Sequence, residues 1–213
     1  MTTLLLIRHG ESQANHQRIF AGHLDADLHE NGLRQAKETA KFIAQNYQVD
    51  KIYASDLKRA YKTAQALADV LDMDITPDKN LREINAAQWD GKPFDELLVT
   101  YKESYTMWRT HIGFAAADGG ESVRQLADRI MAALTRIAQE NEGKTVAVAT
   151  HATPIRAMQS LVQTGGLEEM ENIPWASNAS VTVLQYEQDT WKLIAASLDE
   201  HLQAIKTELP RGV

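Results

Sequence analysis

The chain has 213 residues, of which 44% are hydrophobic and 24% are charged, and its formal net charge is −7. This length and composition are typical of a globular α/β protein, so we expect residues 1–213 to form a single domain. The negative charge argues against non-specific binding to nucleic acid or to an anionic membrane, and the lack of cysteine excludes disulfides, thiolate catalysis and cysteine-ligated metal centres.

The apolar segments bear on the expected location of the protein. Residues 4–7 are all apolar, but this run is too short for a membrane span or a signal peptide, and it leads directly into Arg8 and His9. Nothing in the sequence marks the chain for export. We therefore expect a cytoplasmic protein without a membrane partner.

The N-terminal half alternates short apolar strands with amphipathic helices. A short apolar run bounded by polar residues predicts a buried strand, and apolar residues at helical spacing predict a helix with one buried face. Ser55 and Asp56 are good N-cap residues for the second helix. The predicted elements are a strand at 3–7, a helix at 31–46, a strand at 50–54, a helix at 57–71 and a strand at 73–76.

The C-terminal half resumes this alternation after an irregular stretch. Residues from about 86 to 118 are rich in Trp, Tyr and charged residues, which predicts an irregular, partly helical insertion over the sheet edge. Proline is tolerated in the first turn of a helix, and a short turn near residues 188–189 suits a hairpin. The further predicted elements are a helix at 121–140, a strand at 145–149, a helix beginning near Pro154, and strands at 180–186 and 191–196. The whole pattern predicts an α/β fold with a mostly parallel central sheet and helices on both faces.

Chemically useful side chains follow the ends of the predicted strands. His9 comes directly after the first strand, with Arg8 beside it, and His151 follows the strand at 145–149. Arg59 lies in the first turn of the helix after the second strand, and Glu83 follows the third strand. Ligands of open α/β sheets bind at the carboxyl ends of the strands, so these side chains converge if the two histidine-bearing strands are neighbours.

Two histidines, two arginines and one glutamate can carry out phosphoryl transfer without a metal. Two guanidiniums form a bidentate cradle for a dianion. A neutral imidazole can attack phosphorus and form a covalent intermediate, while a second histidine helps to stabilise the charge that develops on the transferring oxygens. A carboxylic acid can protonate the leaving group and later accept a proton from water.

Short motifs spread over most of the chain form an ordered series. In chain order they are Leu6-Ile7-Arg8-His9-Gly10-Glu11-Ser12, Ser55-Asp56-Leu57-Lys58-Arg59-Ala60, Leu81-Arg82-Glu83-Ile84, Gly119-Gly120-Glu121-Ser122, Thr150-His151, Asn178-Ala179-Ser180-Val181 and Leu198-Asp199-Glu200-His201-Leu202. The series resembles the histidine phosphatase superfamily, also called the phosphoglycerate mutase-like family, and most closely its broad-specificity phosphatases. A lone Arg-His-Gly would be weak evidence, whereas an ordered series from residue 4 to about 202 is specific.

The resemblance implies a role for each candidate residue. The implied catalytic residues are His9 as the nucleophile, Glu83 as the proton donor, and Arg8, Arg59 and His151 as the phosphate pocket. The implied substrate-binding residues are Asn15, Ala21, Gly22 and Ala152, with backbone amides near the last two as additional donors. It also implies a small phosphorylated substrate, no metal and no cofactor.

Some positions depart from the common pattern of the family. Ala152-Thr153 stands where many members have Gly-Gly, Ala21 stands where many have glutamine, and Asn85 stands where aspartate is common. These departures bear on which substrate is bound, because the residues that carry the core chemistry are all present.

Several alternatives remain open from the sequence. A cofactor-dependent phosphoglycerate mutase must hold a second anionic group, and the insertion offers Lys92, Lys102, Arg109 and His111 without the paired arginines typical of mutases. Glu83 and His151 are also only 68 positions apart, which is short for a mutase. A non-catalytic phospho-ligand-binding protein on the same fold would commonly lack the nucleophile or the acid. A metal-dependent hydrolase would need a carboxylate cluster, which is not apparent.

The roles assigned to individual residues also have alternatives. Glu11 or Glu121 could replace Glu83 as the acid, and Asn15 could be a simple capping residue. The remaining histidines show no metal-binding spacing, and most are interpreted as surface or structural residues, with His23 the one candidate to enter the pocket. They are His16, His23, His29, His111 and His201. A homodimer is the commonest closed assembly, but no interface pattern is visible.

Overall fold

The computed structural model describes residues 1–207, and its centre is a six-stranded sheet. The strands are β1 (Thr2–Arg8), β2 (Lys51–Ala54), β3 (Ile75–Pro77), β4 (Thr145–Thr150), β5 (Val181–Glu187) and β6 (Thr190–Leu198). They lie in the order β3-β2-β4-β1-β5-β6. The first four strands pair in parallel, and the β5–β6 hairpin adds an antiparallel edge beside β1. The predicted mostly parallel α/β fold is therefore confirmed.

Seven helices surround this sheet within the described residues, and four of them lie at positions predicted from the sequence. Those within residues 1–207 are α1 (Gln13–His16), α2 (Glu30–Asn46), α3 (Lys58–Leu71), α4 (Phe94–Thr100), α5 (Lys102–Thr110), α6 (Val123–Glu140) and α7 (Ala152–Thr164). The predicted starts of α2, α3, α6 and α7 are confirmed to within two residues. The predicted capping of α3 by Ser55 and Asp56 is wrong, because its N-cap is Leu57, which makes no side-chain cap hydrogen bond. No helix among the described residues is both long enough and apolar enough to cross a membrane.

β1 separates two hydrophobic cores. Leu4 and Leu6 belong to a core that includes α6 and the insertion, whereas Leu5 and Ile7 belong to a second core that includes α2 and α3. All four side chains are at most 1% exposed. Successive side chains of a strand point to opposite faces, so a strand covered on both faces is apolar throughout.

Two regions contain structure that the sequence patterns did not resolve. α1 has only four residues, too few to show a period, although Ser12 and Asn15 form a reciprocal capping box at its start. The insertion contains α4 and α5 and short 3-10 turns, and it buries three aromatic side chains within the first core, namely Trp89, Tyr105 and Trp108.

The loop after β1 packs against the start of α2 at two glycines. A Cβ atom at Gly32 would lie 2.0 Å from the carbonyl oxygen of Glu11, and one at Gly10 would lie 2.4 Å from the carbonyl oxygen of Gly32. Both distances are far below van der Waals contact. The backbone that follows His9 can therefore approach α2 this closely only because neither residue has a side chain.

We expect Gly32→Ala to destabilise the fold by about 1–3 kcal/mol, because the added methyl group overpacks a contact between two backbones. In an unconstrained helix the same change would stabilise the protein by roughly 1 kcal/mol. A decrease in the free energy of unfolding would therefore identify the clash. Urea unfolding monitored by circular dichroism measures the free energy of unfolding. Lys37→Ala, at an exposed position of the same helix, should leave the stability nearly unchanged. A Gly32→Ala protein as stable as wild type would contradict this account.

Candidate active site

The candidate catalytic side chains meet at the carboxyl edge of the sheet. His9 follows β1 and His151 follows β4, and these two strands pair directly, with Arg8 opposite Thr150. The two imidazole rings lie 5.2 Å apart, centroid to centroid, at an interplanar angle of 62°. The neighbouring strands expected from the sequence thus bring both histidines to one place.

His9 is a buried, neutral imidazole. Its Nδ1 lies 2.7 Å from the carbonyl oxygen of Gly10, which can only accept, so Nδ1 carries the hydrogen. Its Nε2 accepts a hydrogen bond from Nε of Arg59 at 3.3 Å. Burial, and next the charges of Arg59 and Arg8, hold the pKa of His9 well below its usual value. The unprotonated Nε2 is therefore available as a nucleophile at neutral pH.

The two arginines are held in place by backbone carbonyls. Arg8 donates from Nη1 to Ala176 O at 2.5 Å. Arg59 donates to the carbonyl oxygens of the loop after α1, at 2.7 Å to Leu24, 3.1 Å to Ala21 and 2.8 Å to Gly22. Burial lowers the pKa of each guanidinium to about 10, while the charge of Glu83 opposes this shift. Both arginines therefore remain cationic at neutral pH.

Two buried nitrogen atoms of this group have no hydrogen-bond partner within residues 1–207. They are Nε of Arg8 and Nδ1 of His151. His151 is fully buried, and its Nε2 lies 2.8 Å from Oγ of Ser55. Burial, followed by the charge of Arg59, lowers the pKa of His151 as well. Unpaired polar atoms are costly in a protein interior, so these nitrogens mark a place where a polar ligand can be bound.

Glu83 reaches the same place from the loop after β3. Its side chain is 7% exposed, and its carboxylate accepts from the amides of Ile84 at 2.9 Å and Thr153 at 3.3 Å. Glu121, an alternative acid, lies elsewhere and bonds to Arg129 at 2.8 Å. Glu11, the other alternative, does line the cavity. The arrangement therefore favours Glu83, whose carboxylate is fixed by two backbone donors.

Four of these residues, Arg8, His9, Arg59 and Glu83, line a cavity of about 600 Å³, whereas the fully buried His151 is not among its lining residues. Asn15, Ala21 and Ala152 also line it, whereas the amide of Gly22 donates to Asp90 at 2.6 Å, and Gly22 is not among the lining residues. The wall also includes several residues that were not singled out as substrate contacts from the sequence: Phe94, Trp108, Thr153, Trp175 and Asn178. Thr153 is one of the departures noted above, whereas Asn85 does not line the cavity.

Asn178 was noted only as part of a motif, but it links His9 to α1. Its Nδ2 donates to the carbonyl oxygen of His9 at 3.1 Å and to Oδ1 of Asn15 at 3.2 Å. Asn15 therefore combines helix capping with a place in the cavity wall, so the two interpretations of this residue are compatible. Trp108 and Trp175 had no signal in the sequence beyond their aromatic character.

Comparisons with known proteins agree with this geometry. The profile of the histidine phosphatase superfamily (branch 1) matches residues 4–199. The chain belongs to the histidine phosphatase superfamily. It is 29% identical to phosphoserine phosphatase 1 of Hydrogenobacter thermophilus over the full length of both chains. It is 31% identical to a metal-independent phosphoserine phosphatase of Arabidopsis thaliana, over 96% of this chain and 85% of that one.

A solved structure with the same architecture is Bacillus stearothermophilus YhfR. It superposes with a TM-score of 0.90 at 27% identity, over 95% of this chain and 100% of that one. The predicted superfamily and the predicted enzyme class, a phosphatase of the histidine phosphatase type, are confirmed by these matches.

The buried neutral histidines make the stability of this protein depend on pH. Their pKa values are depressed in the fold, whereas in the unfolded chain they titrate near 6.5. Below pH 6.5 the unfolded chain therefore binds more protons, and the free energy of unfolding falls as the pH falls. Between pH 7.5 and 5.5 each such histidine contributes a loss of about 1 kcal/mol.

We expect His151→Gln to remove about 1 kcal/mol of this pH-dependent loss, because glutamine does not titrate. Urea unfolding at pH 7.5 and at pH 5.5 gives, for each protein, the difference in the free energy of unfolding between the two pH values. His111→Gln, which changes an exposed histidine, should keep the wild-type difference. If His151→Gln kept it too, His151 would not be neutral in the fold at pH 5.5.

Proposed function

We propose that this chain hydrolyses small phosphomonoesters through a phosphohistidine on Nε2 of His9. The observation that carries the proposal is the state of His9, whose Nδ1 hydrogen is bound by Gly10 and whose Nε2 faces the guanidinium of Arg59. A neutral nucleophile between fixed cations suits attack on a phosphoryl dianion. The proposal treats residues 1–213 as one domain, in line with the family match to residues 4–199.

In the first step, Nε2 of His9 attacks phosphorus and the bond from phosphorus to the leaving oxygen breaks. Arg8, Arg59 and His151 hold the phosphoryl oxygens, and a phosphoryl oxygen replaces His9 as the acceptor of the Arg59 Nε hydrogen. Glu83 in its acid form gives its proton to the leaving oxygen, since an alkoxide is a poor leaving group.

In the second step, water attacks the phosphohistidine. Glu83, now a carboxylate, accepts a proton from this water while the bond from nitrogen to phosphorus breaks. Inorganic phosphate leaves, and His9 is again a neutral imidazole. Asn15 and the amide at Ala152, the first residue of α7, supply further donors at the cavity wall, where a helix N-terminus favours an anion.

The walls of the outer cavity favour a hydrolase over a mutase. The insertion contributes Phe94 and Trp108 to the cavity. None of its basic residues considered above is among the lining residues in the described chain, and one of them, Lys92, pairs with Glu96 instead. A mutase must hold a second anionic group of its substrate. The insertion offers aromatic surface instead, and beyond Arg8 and Arg59 the one arginine at the wall, among the described residues, is Arg18, which lies outside the insertion.

The size of the cavity bears on the substrate. About 600 Å³ is within the usual range for pockets that take a ligand much larger than phosphate. Phe94, Trp108 and Trp175 offer apolar surface to the leaving group, so we propose a phosphomonoester with an extended, partly apolar leaving group. Phosphoserine is the second candidate, because two relatives are phosphoserine phosphatases and Arg18 at the cavity wall could receive its carboxylate.

We expect the purified protein to release inorganic phosphate from p-nitrophenyl phosphate in the presence of a chelator, and His9→Ala to lose this activity. The other substrates to be tested are phosphoserine, alkyl and aryl phosphomonoesters, and 3-phosphoglycerate supplied with 2,3-bisphosphoglycerate. Acid quench of labelled substrate should trap a phosphohistidine in wild type and none in His9→Ala. Exchange between phosphoglycerates with little phosphate release would make the protein a mutase. Binding without any turnover would make it a phospho-ligand-binding protein.

We expect Glu83→Gln to lower kcat for alkyl phosphates by about 10²–10⁴-fold, because the leaving alkoxide then receives no proton. The loss should be much smaller for p-nitrophenyl phosphate, whose leaving group needs no proton. Steady-state kinetics measures the ratio of kcat between wild type and Glu83→Gln for each substrate. Glu11→Gln, a change of the other carboxylate in the cavity wall, should show no such dependence on the leaving group. If the dependence appears in Glu11→Gln instead, Glu11 is the acid.

A further inference from the structure

A second cluster of potential ligands lies at the edge of the same cavity, beyond the residues proposed for catalysis, and two of its three members, Glu11 and His16, line the cavity. Glu11, His16 and His29 each offer a ligand atom, and these atoms all lie within 4.8 Å of one another. Oε1 of Glu11 is 3.5 Å from Nδ1 of His16. Tetrahedral zinc with bonds near 2.0–2.1 Å places its ligands about 3.3 Å apart, so small side-chain movements complete such a site.

We propose that Glu11, His16 and His29 bind one divalent transition-metal ion of the zinc type. Two imidazoles and one carboxylate are a donor set that suits zinc and disfavours magnesium, which takes oxygen ligands. Three protein ligands leave a fourth position open. Because Glu11 and His16 both line the cavity, that position is accessible to a small ligand in the cavity.

The carboxylate of Glu11 is already buried and oriented. Its side chain is 10% exposed. Its Oε2 accepts hydrogen bonds from Nδ2 of Asn31 at 2.8 Å and from Oγ1 of Thr207 at 3.3 Å. Oε1, the atom nearest His16, faces the imidazole at 3.5 Å. Secondary hydrogen bonds of this kind orient a ligating carboxylate and strengthen its metal site.

The two histidines differ in their freedom to move. Their rings are stacked at a centroid distance of 4.1 Å and an interplanar angle of 8°, so a shared ion requires one ring to turn. His16 ends α1 with 58% of its side chain exposed, and it can turn without repacking. His29 is the N-cap of α2, and its Nδ1 accepts only a long bond, 3.4 Å, from the amide of Asn31.

This cluster could not be predicted from the sequence because its members come from three different parts of the chain. Glu11 lies in the loop after β1, His16 ends α1 and His29 precedes α2, so their spacing matches no helical or hairpin metal motif. The interpretation of His16 and His29 as plain surface or structural histidines followed from that spacing. The ion takes no part in the proposed hydrolysis, so the binding test is independent of phosphatase activity.

The test is titration of the full-length, tag-free protein with Zn²⁺ at pH 7.5 by calorimetry, together with the visible absorption of added Co²⁺. We expect one equivalent to bind and to raise Tm, since an ion that binds only the folded state stabilises it. His16→Gln and His29→Asn should each weaken binding at least tenfold. Asparagine retains the capping function at position 29, so that variant should remain folded.

Three controls make the assignment specific. His111→Gln changes an exposed histidine elsewhere and should bind Zn²⁺ as wild type does. His9→Ala should also retain binding, which separates the cluster from the catalytic histidines. Mg²⁺ should give no shift in Tm. The proposal fails if the double variant His16→Gln/His29→Asn binds Zn²⁺ as wild type does, or if His9→Ala abolishes binding.

Discussion

The site depends on one electrostatic constraint, a neutral imidazole buried beside two buried guanidiniums. Burial and the neighbouring charges both disfavour an imidazolium at position 9, so His9 keeps its nucleophilic lone pair. The guanidiniums are themselves costly to bury, and backbone carbonyls at residues 21, 22, 24 and 176 accept their hydrogens. The same interactions therefore keep His9 neutral and its surroundings positive, although the chain as a whole has a net charge of −7.

The rest of the fold holds this arrangement in register. β1 and β4 pair directly, which fixes the two histidines side by side. Asp90 accepts from the amides of Gly22 and His23 at 2.6 and 3.0 Å, and so anchors the loop whose carbonyls hold Arg59. Gly10 and Gly32 allow α2 to approach the loop after His9. We expect a change at any of these positions to act on His9, the proposed nucleophile, through backbone geometry.

The sheet and the residues at its edge were predictable because both follow from local rules. A strand buried on both faces is a short apolar run, and a side chain directly after a parallel strand lies at the ligand-binding edge whatever else the chain does. Thus His9 and His151 could be located from the sequence. The contacts of Asp90, Asn178 and Glu11 could not, because each joins residues far apart in the chain. α1 was missed because four residues show no period.

The insertion shows why chemistry was easier to predict than specificity. Its aromatic side chains carry no directional signal in the sequence, and the same composition fits a buried core or a cavity wall. In the structure the insertion contributes to the core and to the cavity wall. Trp89 and Tyr105 are buried in the core, Phe94 lines the cavity, and Trp108 belongs to both. Within the described residues, none of the basic residues of the insertion named above lines the cavity, and Arg8 and Arg59 supply cations where the phosphoryl group is proposed to bind. Recognition of the leaving group then depends on the shape and apolar surface of the insertion, which can change while the sheet-edge chemistry stays the same.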